Sequence, residues 1–340
     1  MKFDVGMRNL ALKDVGAEAK RYEDIGFDTV WTFETAHDPF FPLAQVAMAT
    51  ERLRFGTNIA VAFARSPFVT AQIAWDLQGM SGGRMVLGLG TQVRAHVERR
   101  FSMQFEHPAA RVTDYIDTLR AIWRTFQTGE RPTHRGPFYQ FTVINDFFTP
   151  GPIEHPDVPV WLAGVNERMC RAAGEVADGF QVHPMHSPGY IHDVVRPSLR
   201  EGAARRDRDA DAMELHIPVF AVSGDTAQER AESELSVRQQ VAFYSSTPSY
   251  RRFLEYHDCM GVAKDLSDLM RKGEIEKMTK LVPDALMDAV AISGNGAQLG
   301  QALRARCEAA GVQSGSLYQS VLPETPIEHW QGLVRAFQAA

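Results

Sequence analysis

Cysteine is scarce in this 340-residue chain. The three present, Cys170, Cys259 and Cys307, are widely spaced and odd in number, which argues against a disulfide framework and against a paired-thiolate zinc site. Positive charge is not in excess either. Lys and Arg total 36 against 42 Asp and Glu, a formal charge of -6, so the chain lacks the basic field on which nonspecific nucleic-acid binding depends. No apolar run approaches the ~18 to 20 residues that would span a bilayer. Asp4 stands where a secretion signal needs an apolar stretch. No phosphate loop of the G-x-x-x-x-G-K-[ST] kind and no H-E-x-x-H helix occurs, and no nucleophile elbow is read. The expectation is a cytoplasmic protein with a small-molecule substrate, no nucleic-acid partner and no membrane partner, self-associating as a homodimer or larger homo-oligomer.

What the chain does have is core material: 44% of its residues are apolar and 10% aromatic, enough to fold without staples. Strand-like and helix-like segments alternate almost from end to end, the pattern of a parallel sheet with crossover helices. Strands are predicted at residues 3–7, 27–33, 54–61, 84–90, 158–163, 179–182, 214–222 and 316–321. Gly26 ends the first helix, and Ser66 before Pro67 caps the third. A Pro- and Gly-rich excursion near 129–157 holds a hairpin around 138–143, and a helical stretch at 245–281 with no strand after it is an insertion in the seventh unit. Eight strand and helix pairs in one domain over 1–340 predict a (β/α)8 barrel. The rival, a doubly wound dinucleotide-binding sheet, needs a glycine-rich turn after strand 1, and Gly6-Met7-Arg8-Asn9 lacks it.

In such a barrel the chemistry gathers at the C-terminal ends of the strands. After strand 2, Glu34, His37 and Asp38 concentrate two carboxylates and an imidazole useful for proton transfer, or else form a solvated turn with Asp38 capping a helix. Arg65 offers a cation after strand 3. After strand 4, Gly88 and Gly90 precede Thr91 and Gln92, which suits either a flat ligand close to the backbone or a tight strand end. Arg94, His96, Arg99 and Arg100 follow as a basic cluster for an anionic tail, or as a solvated helical face. Gly164-Val165-Asn166 turns from strand 5 into a helix, where free N-H groups and the helix dipole would favour a phosphate; a plain glycine turn capped by Asn166 competes. His183 and His186 close strand 6. No carboxylate or cysteine stands near them in sequence to complete a metal site, so His183 reads as a ligand-contacting side chain.

Taken in order, Gly26-Phe27-Asp28-Thr29-Val30-Trp31, Arg54-Phe55-Gly56-Thr57-Asn58-Ile59, Ser81 through Thr91, Arg135-Gly136-Pro137-Phe138-Tyr139 and Ala173 through Phe180 resemble the bacterial luciferase-like superfamily. The branch they resemble is that of oxidoreductases using coenzyme F420, a deazaflavin. The resemblance spans nearly the whole chain. It implies a ring on strands 3 to 5, a cis peptide bond between Asn58 and Ile59 behind it, the strand 4 end at Gly90, Thr91 and Gln92 beside it, and a phosphate at Gly164, Val165 and Asn166. Two positions depart from the pattern. The Asp-His pair of some deazaflavin enzymes is matched here by Glu34 and Thr35, and Thr35 cannot act as that base; an acidic position after the strand 4 glycines is Val93. The implied activity is hydride transfer between F420 and a small organic substrate, with Glu34, His37 or His183 handling the proton and Arg94 near the cofactor tail. The alternatives are a monooxygenase that uses reduced FMN and a non-catalytic flavin-binding protein.

Overall fold

Lys2–Gly6 (β1), Thr29–Thr32 (β2), Arg54–Thr57 continued at Ala60–Val61 (β3), Met85–Gly90 (β4), Val160–Gly164 (β5), Gly179–Val182 (β6), Glu214–Val222 (β7) and Ser314–Leu317 (β8) pair in parallel, each with the next in sequence. β8 returns to β1, Phe3 facing Gly315 in register, so the sheet closes into an eight-stranded barrel. This computed structural model describes residues 1–318 and 325–340. The predicted end of the last strand, residues 319–321, lies outside them.

The strands read as nearly continuous apolar runs because both faces are covered. Phe3 on β1 points outward against Phe27 and Phe337, while its neighbour Asp4 points inward and is buried. Outside the barrel run the helices Leu12–Ile25 (α1), Phe41–Ala49 (α2), Pro67–Ser81 (α3), Pro108–Thr128 (α4), Glu167–Val176 (α5), Arg196–Ala204 (α6), Ala227–Ser245 (α7), Ala297–Ala310 (α8) and Ile327–Ala339 (α9). α1 stops where Gly26 takes φ 102°, a left-handed conformation that suits glycine. The Ser66 hydroxyl accepts the Val69 N-H at the start of α3. At the other end of that helix, Gly79 to Gly83 spells G-x-S-x-G, but Ser81 sits in a helical C-terminal turn ahead of β4, the reverse of the strand-to-helix order a nucleophile elbow needs.

Two expectations need correction. The third strand is not continuous: it is interrupted at Asn58 and Ile59, whose peptide bond is cis. A short strand at Ala291–Ser293, absent from the sequence reading, pairs in parallel with β7 outside the closed barrel. The stretch at 245–281 is helical as expected, with Pro248–Tyr250 a single tight turn before Arg251–Tyr256, Ala263–Lys272 and Ile275–Lys280. The excursion after α4 does hold a hairpin, His134–Arg135 against Gln140–Phe141. Its anchor is the buried Asp114 carboxylate on α4, which bonds His134 Nε2 at 3.0 Å and accepts the N-H groups of Phe138 and Tyr139.

Glycine in β4 is a packing requirement. A Cβ on Gly88 would lie 1.7 Å from the Thr57 carbonyl oxygen on β3 and 2.8 Å from the Gln181 amide on β6. The strand backbone cannot yield there, so Gly88→Ala is expected to destabilise the barrel by ~1 to 3 kcal/mol or more. Denaturant unfolding would check this, and a midpoint equal to wild type would contradict the stated contact.

Candidate active site

At the C-terminal mouth the interruption of β3 is clasped by Glu34. Its backbone N-H donates to the Ile59 carbonyl at 3.3 Å, and its carboxylate accepts the Val61 N-H at 2.6 Å. The same carboxylate receives both terminal nitrogens of Arg65 at 2.9 Å, a two-pronged pair with the Glu34 side chain 5% and the Arg65 side chain 15% exposed. Arg65 also reaches Asp38 at 2.6 Å and lies over the Phe40 ring. Burial alone would lower the Arg65 pKa, but its hydrogen bonds to Glu34 and Asp38 outweigh that and raise it. Glu34 is therefore committed to holding β3. Asp38 accepts the Phe40 N-H at 2.8 Å ahead of α2, so it closes a turn as well as pairing with Arg65. His37 is exposed and makes no hydrogen bond or ion pair among the described residues. Thr35 points its hydroxyl toward Asn9, and its carbonyl takes a hydrogen bond from Arg100.

Beside this clasp, a Cβ on Gly90 would lie 2.8 Å from Ile59 Cγ1, so the Asn58-Ile59 step and the end of β4 form one surface. Gln92 holds φ at 56°, and its amide oxygen accepts the Val93 N-H. The short helix Arg94–Arg99 follows, where Arg94 pairs with Glu98 and lies over Phe105. The basic run is thus partly neutralised, and all four of its members, Arg94, His96, Arg99 and Arg100, are exposed.

The turn from β5 into α5 matches its predicted form. Asn166 Oδ1 accepts the Met169 N-H at 3.0 Å as N-cap, while the N-H groups of Glu167 and Arg168 find no acceptor among the described residues. Gly164 is held close by Met169, whose Cγ would lie 2.6 Å from an added Cβ. Donors at a helix N-terminus beside a turn without a Cβ fit a phosphate, although the Glu167 carboxylate, paired with Arg171 and Arg252, also borders the turn.

Across the mouth, strands β6 to β8 carry an aromatic group that sequence reasoning missed. His183, half-buried after β6, has its ring 4.6 Å from Tyr250 and 4.5 Å from Tyr244. Tyr244 meets Phe220 of β7, and its hydroxyl bonds that of Tyr318, just after β8, at 2.7 Å. The inserted segment reaches this place because Tyr250 bonds His183 Nε2 at 2.8 Å and His257 Nε2 bonds Ser187 at 3.0 Å. Burial pushes the His183 pKa down to about 3 and that of His186 to about 4. Those two histidines do not converge on a metal: no group of three potential ligands occurs among the described residues.

Below the mouth the barrel interior sets polar groups beside a small apolar cluster of Trp31, Val86 and Trp161. The Asp4 carboxylate accepts the Trp31 indole N-H at 3.0 Å, and His216 Nε2 bonds Ser316 at 3.0 Å while lying 3.9 Å from Asp4. Burial pushes Asp4 up to about 7 and His216 down to about 3, so each is disposed toward its neutral form. The sequence did hold a signal for Asp4, a lone acid between buried Phe3 and Val5 in an alternating strand.

A closed parallel barrel with its candidate site on the strand C-termini is the arrangement of a (β/α)8 enzyme. The chain belongs to the luciferase-like monooxygenase family, whose model matches residues 4–314. It is 43% identical over 308 residues to an uncharacterized protein of Mycobacterium tuberculosis, covering 91% of this chain and 90% of the relative. A second protein of that organism, provisionally named as a coenzyme F420-dependent oxidoreductase, is 30% identical over 292 residues, 80% of this chain and 81% of the relative. Among solved structures, coenzyme F420-dependent tetrahydromethanopterin reductase from Methanopyrus kandleri superposes with a TM-score of 0.76 at 18% identity, covering 98% of this chain and 96% of that one. EDTA monooxygenase from Chelativorans gives 0.75 at 13% identity over 100% and 93%. Those likenesses establish the fold. Within the family stand oxidoreductases and monooxygenases with F420 or FMN-type cofactors. No helix among the described residues is long and apolar enough to cross a membrane.

Proposed function

We propose that this chain is a coenzyme F420-dependent oxidoreductase that moves a hydride between the deazaflavin and a small organic substrate. The observation that carries the choice of cofactor is the 30% identical relative named for F420, over 80% of this chain. The surface made by Asn58, Ile59, Gly90, Thr91 and Gln92 would hold the ring, the turn at Gly164, Val165 and Asn166 its phosphate, and Arg94 with Arg99 its anionic tail. Bound deazaflavin would supply a carbon that gives or takes a hydride. Among the proton-handling candidates, the reading favours the His183 side of the mouth over Glu34, which is engaged by Arg65, and over His37, which stands free in solvent. A cytoplasmic location and a homodimer or larger homo-oligomer complete the reading.

The test is a titration of the protein with F420 and with FMN, followed by absorbance and fluorescence. F420 should bind more tightly, and its affinity should fall with ionic strength. Neutralising Arg94 and Arg99 should flatten that dependence and leave FMN affinity unchanged. Gly164→Ala should weaken F420 binding by about ten- to a hundredfold, since loss of charge-assisted hydrogen bonds is worth ~1.5 to 3 kcal/mol, while the far-ultraviolet dichroism stays that of wild type. Tight, salt-insensitive FMN binding with oxygen consumption by the reduced flavin would replace this reading with the monooxygenase; binding of F420 with no turnover of any substrate would favour the non-catalytic protein.

A further inference from the structure

Resting on that reading, we propose that Tyr250 is the proton donor to the substrate and that the substrate is a carbonyl compound, which the enzyme reduces to an alcohol. The argument begins at His183. The Met185 backbone N-H donates to its Nδ1 at 3.1 Å, so Nδ1 is an acceptor and the single ring proton of the neutral imidazole sits on Nε2. Nε2, 2.8 Å from the Tyr250 hydroxyl, must then be the donor in that bond. The Tyr250 oxygen accepts, and its own proton has no acceptor among the described residues. The hydroxyl stands at the mouth on the β6 to β8 side, across from the surface made by β3 and β4, so a substrate between them has the ring on one side and this O-H on the other.

With its oxygen taken by the His183 Nε2-H and its own proton free, the Tyr250 hydroxyl is set to donate to an oxygen on which negative charge develops. Burial raises the Tyr250 pKa, which keeps the phenol protonated. Burial keeps His183 neutral in turn. A substrate carbonyl carbon that gains a hydride from the reduced deazaflavin forms a new C-H bond; the π pair of the C=O bond moves to oxygen, and that oxygen takes the Tyr250 proton. The substrate is reduced to an alcohol and the deazaflavin is left oxidised. The phenolate retains the His183 Nε2-H bond and is reprotonated from water. Tyr244, its ring 5.5 Å from that of Tyr250, meets Phe220 and Tyr318 in turn, so a carbonyl compound with a flat apolar substituent suits this side of the mouth.

Tyr250→Phe keeps the ring stacked on His183 and removes only the hydroxyl. With reduced F420 and benzaldehyde or acetophenone, reduction by the variant should fall about a hundredfold, while F420 affinity changes less than twofold. Independently of turnover, benzamide, which offers the carbonyl oxygen but is not reduced, should bind the F420-loaded wild type and bind the variant five- to tenfold more weakly. Turnover or benzamide affinity unchanged in the variant overturns the assignment of Tyr250. Failure of the wild type to bind benzamide or to reduce either carbonyl, with F420 still bound, overturns the substrate class and leaves the cofactor reading standing. Failure to bind F420 at all overturns both.

Discussion

Acidification from pH 7 to pH 5 is expected to remove about 4 kcal/mol of folding stability. His183, His186 and His216 have pKa values pushed down to about 3, 4 and 3 in the fold, against 6.5 when unfolded. For a group with a lowered folded value, stability is present above the unfolded pKa and is lost as pH falls toward the folded one. Between pH 7 and 5 each histidine gives up ~2 kcal/mol, or about 6 together. Asp4 acts in the opposite sense, since its folded value is pushed up from 3.8 to about 7. Its contribution is present below 3.8 and is lost as pH rises through 7, so the same acidification returns ~2 kcal/mol. Against the ~5 to 15 kcal/mol of a typical domain the net loss is large. Urea unfolding at a series of pH values checks it. Asp4→Asn removes the compensating group and should make the loss steeper, to about 6 kcal/mol. A stability that is flat from pH 7 to 5 in wild type would mean that these histidines are solvated.

The barrel was legible because its strands and helices each bury one periodic apolar face, and periodicity survives without tertiary information. β7 was predicted residue for residue at Glu214–Val222, and the caps Ser66, Gly26 and Asn166 act as expected because capping is a local matter of one side chain and three or four neighbours. The break in β3 could not be seen in composition, as residues 54–61 read as one strand-like run with no proline in it; only the resemblance pointed to Asn58 and Ile59. The site divided along the same line. Glycine and asparagine in the β5 turn announce themselves locally, whereas Glu34 and Arg65 meet across 31 residues of chain and His183 and Tyr250 across 67. Nothing in the sequence says that a tyrosine in an inserted segment will reach the end of the sixth strand. The two polar layers of the mouth and the barrel interior are likewise products of closure: Asp4 and His216 are neighbours only because β8 joins β1 to β7.

Arg65→Leu is expected to cost 3 to 5 kcal/mol of stability, as estimated for stranding one partner of a buried pair. In wild type, the Glu34 carboxylate is almost fully covered and draws two of its three side-chain hydrogen bonds from the guanidinium. Leucine would leave that charge with the Val61 N-H alone. Glu34 would then either take up a proton or swing out toward water, and swinging out releases Val61 and the clasp on β3. Removing both charges in Glu34→Gln/Arg65→Leu should recover a substantial part of the loss, because a neutral amide can still accept the Val61 N-H and no uncompensated ion is buried; Asp38, 34% exposed, can turn to solvent. The double-mutant cycle therefore separates two roles for Glu34. If Glu34 is a positioning group, the double variant regains most of its stability and binds F420 close to wild type, and its turnover falls only modestly. If Glu34 is itself the acid or base, the double variant is stable and binds F420 but has lost ~10²-fold or more in turnover. The geometry of the clasp predicts the first outcome.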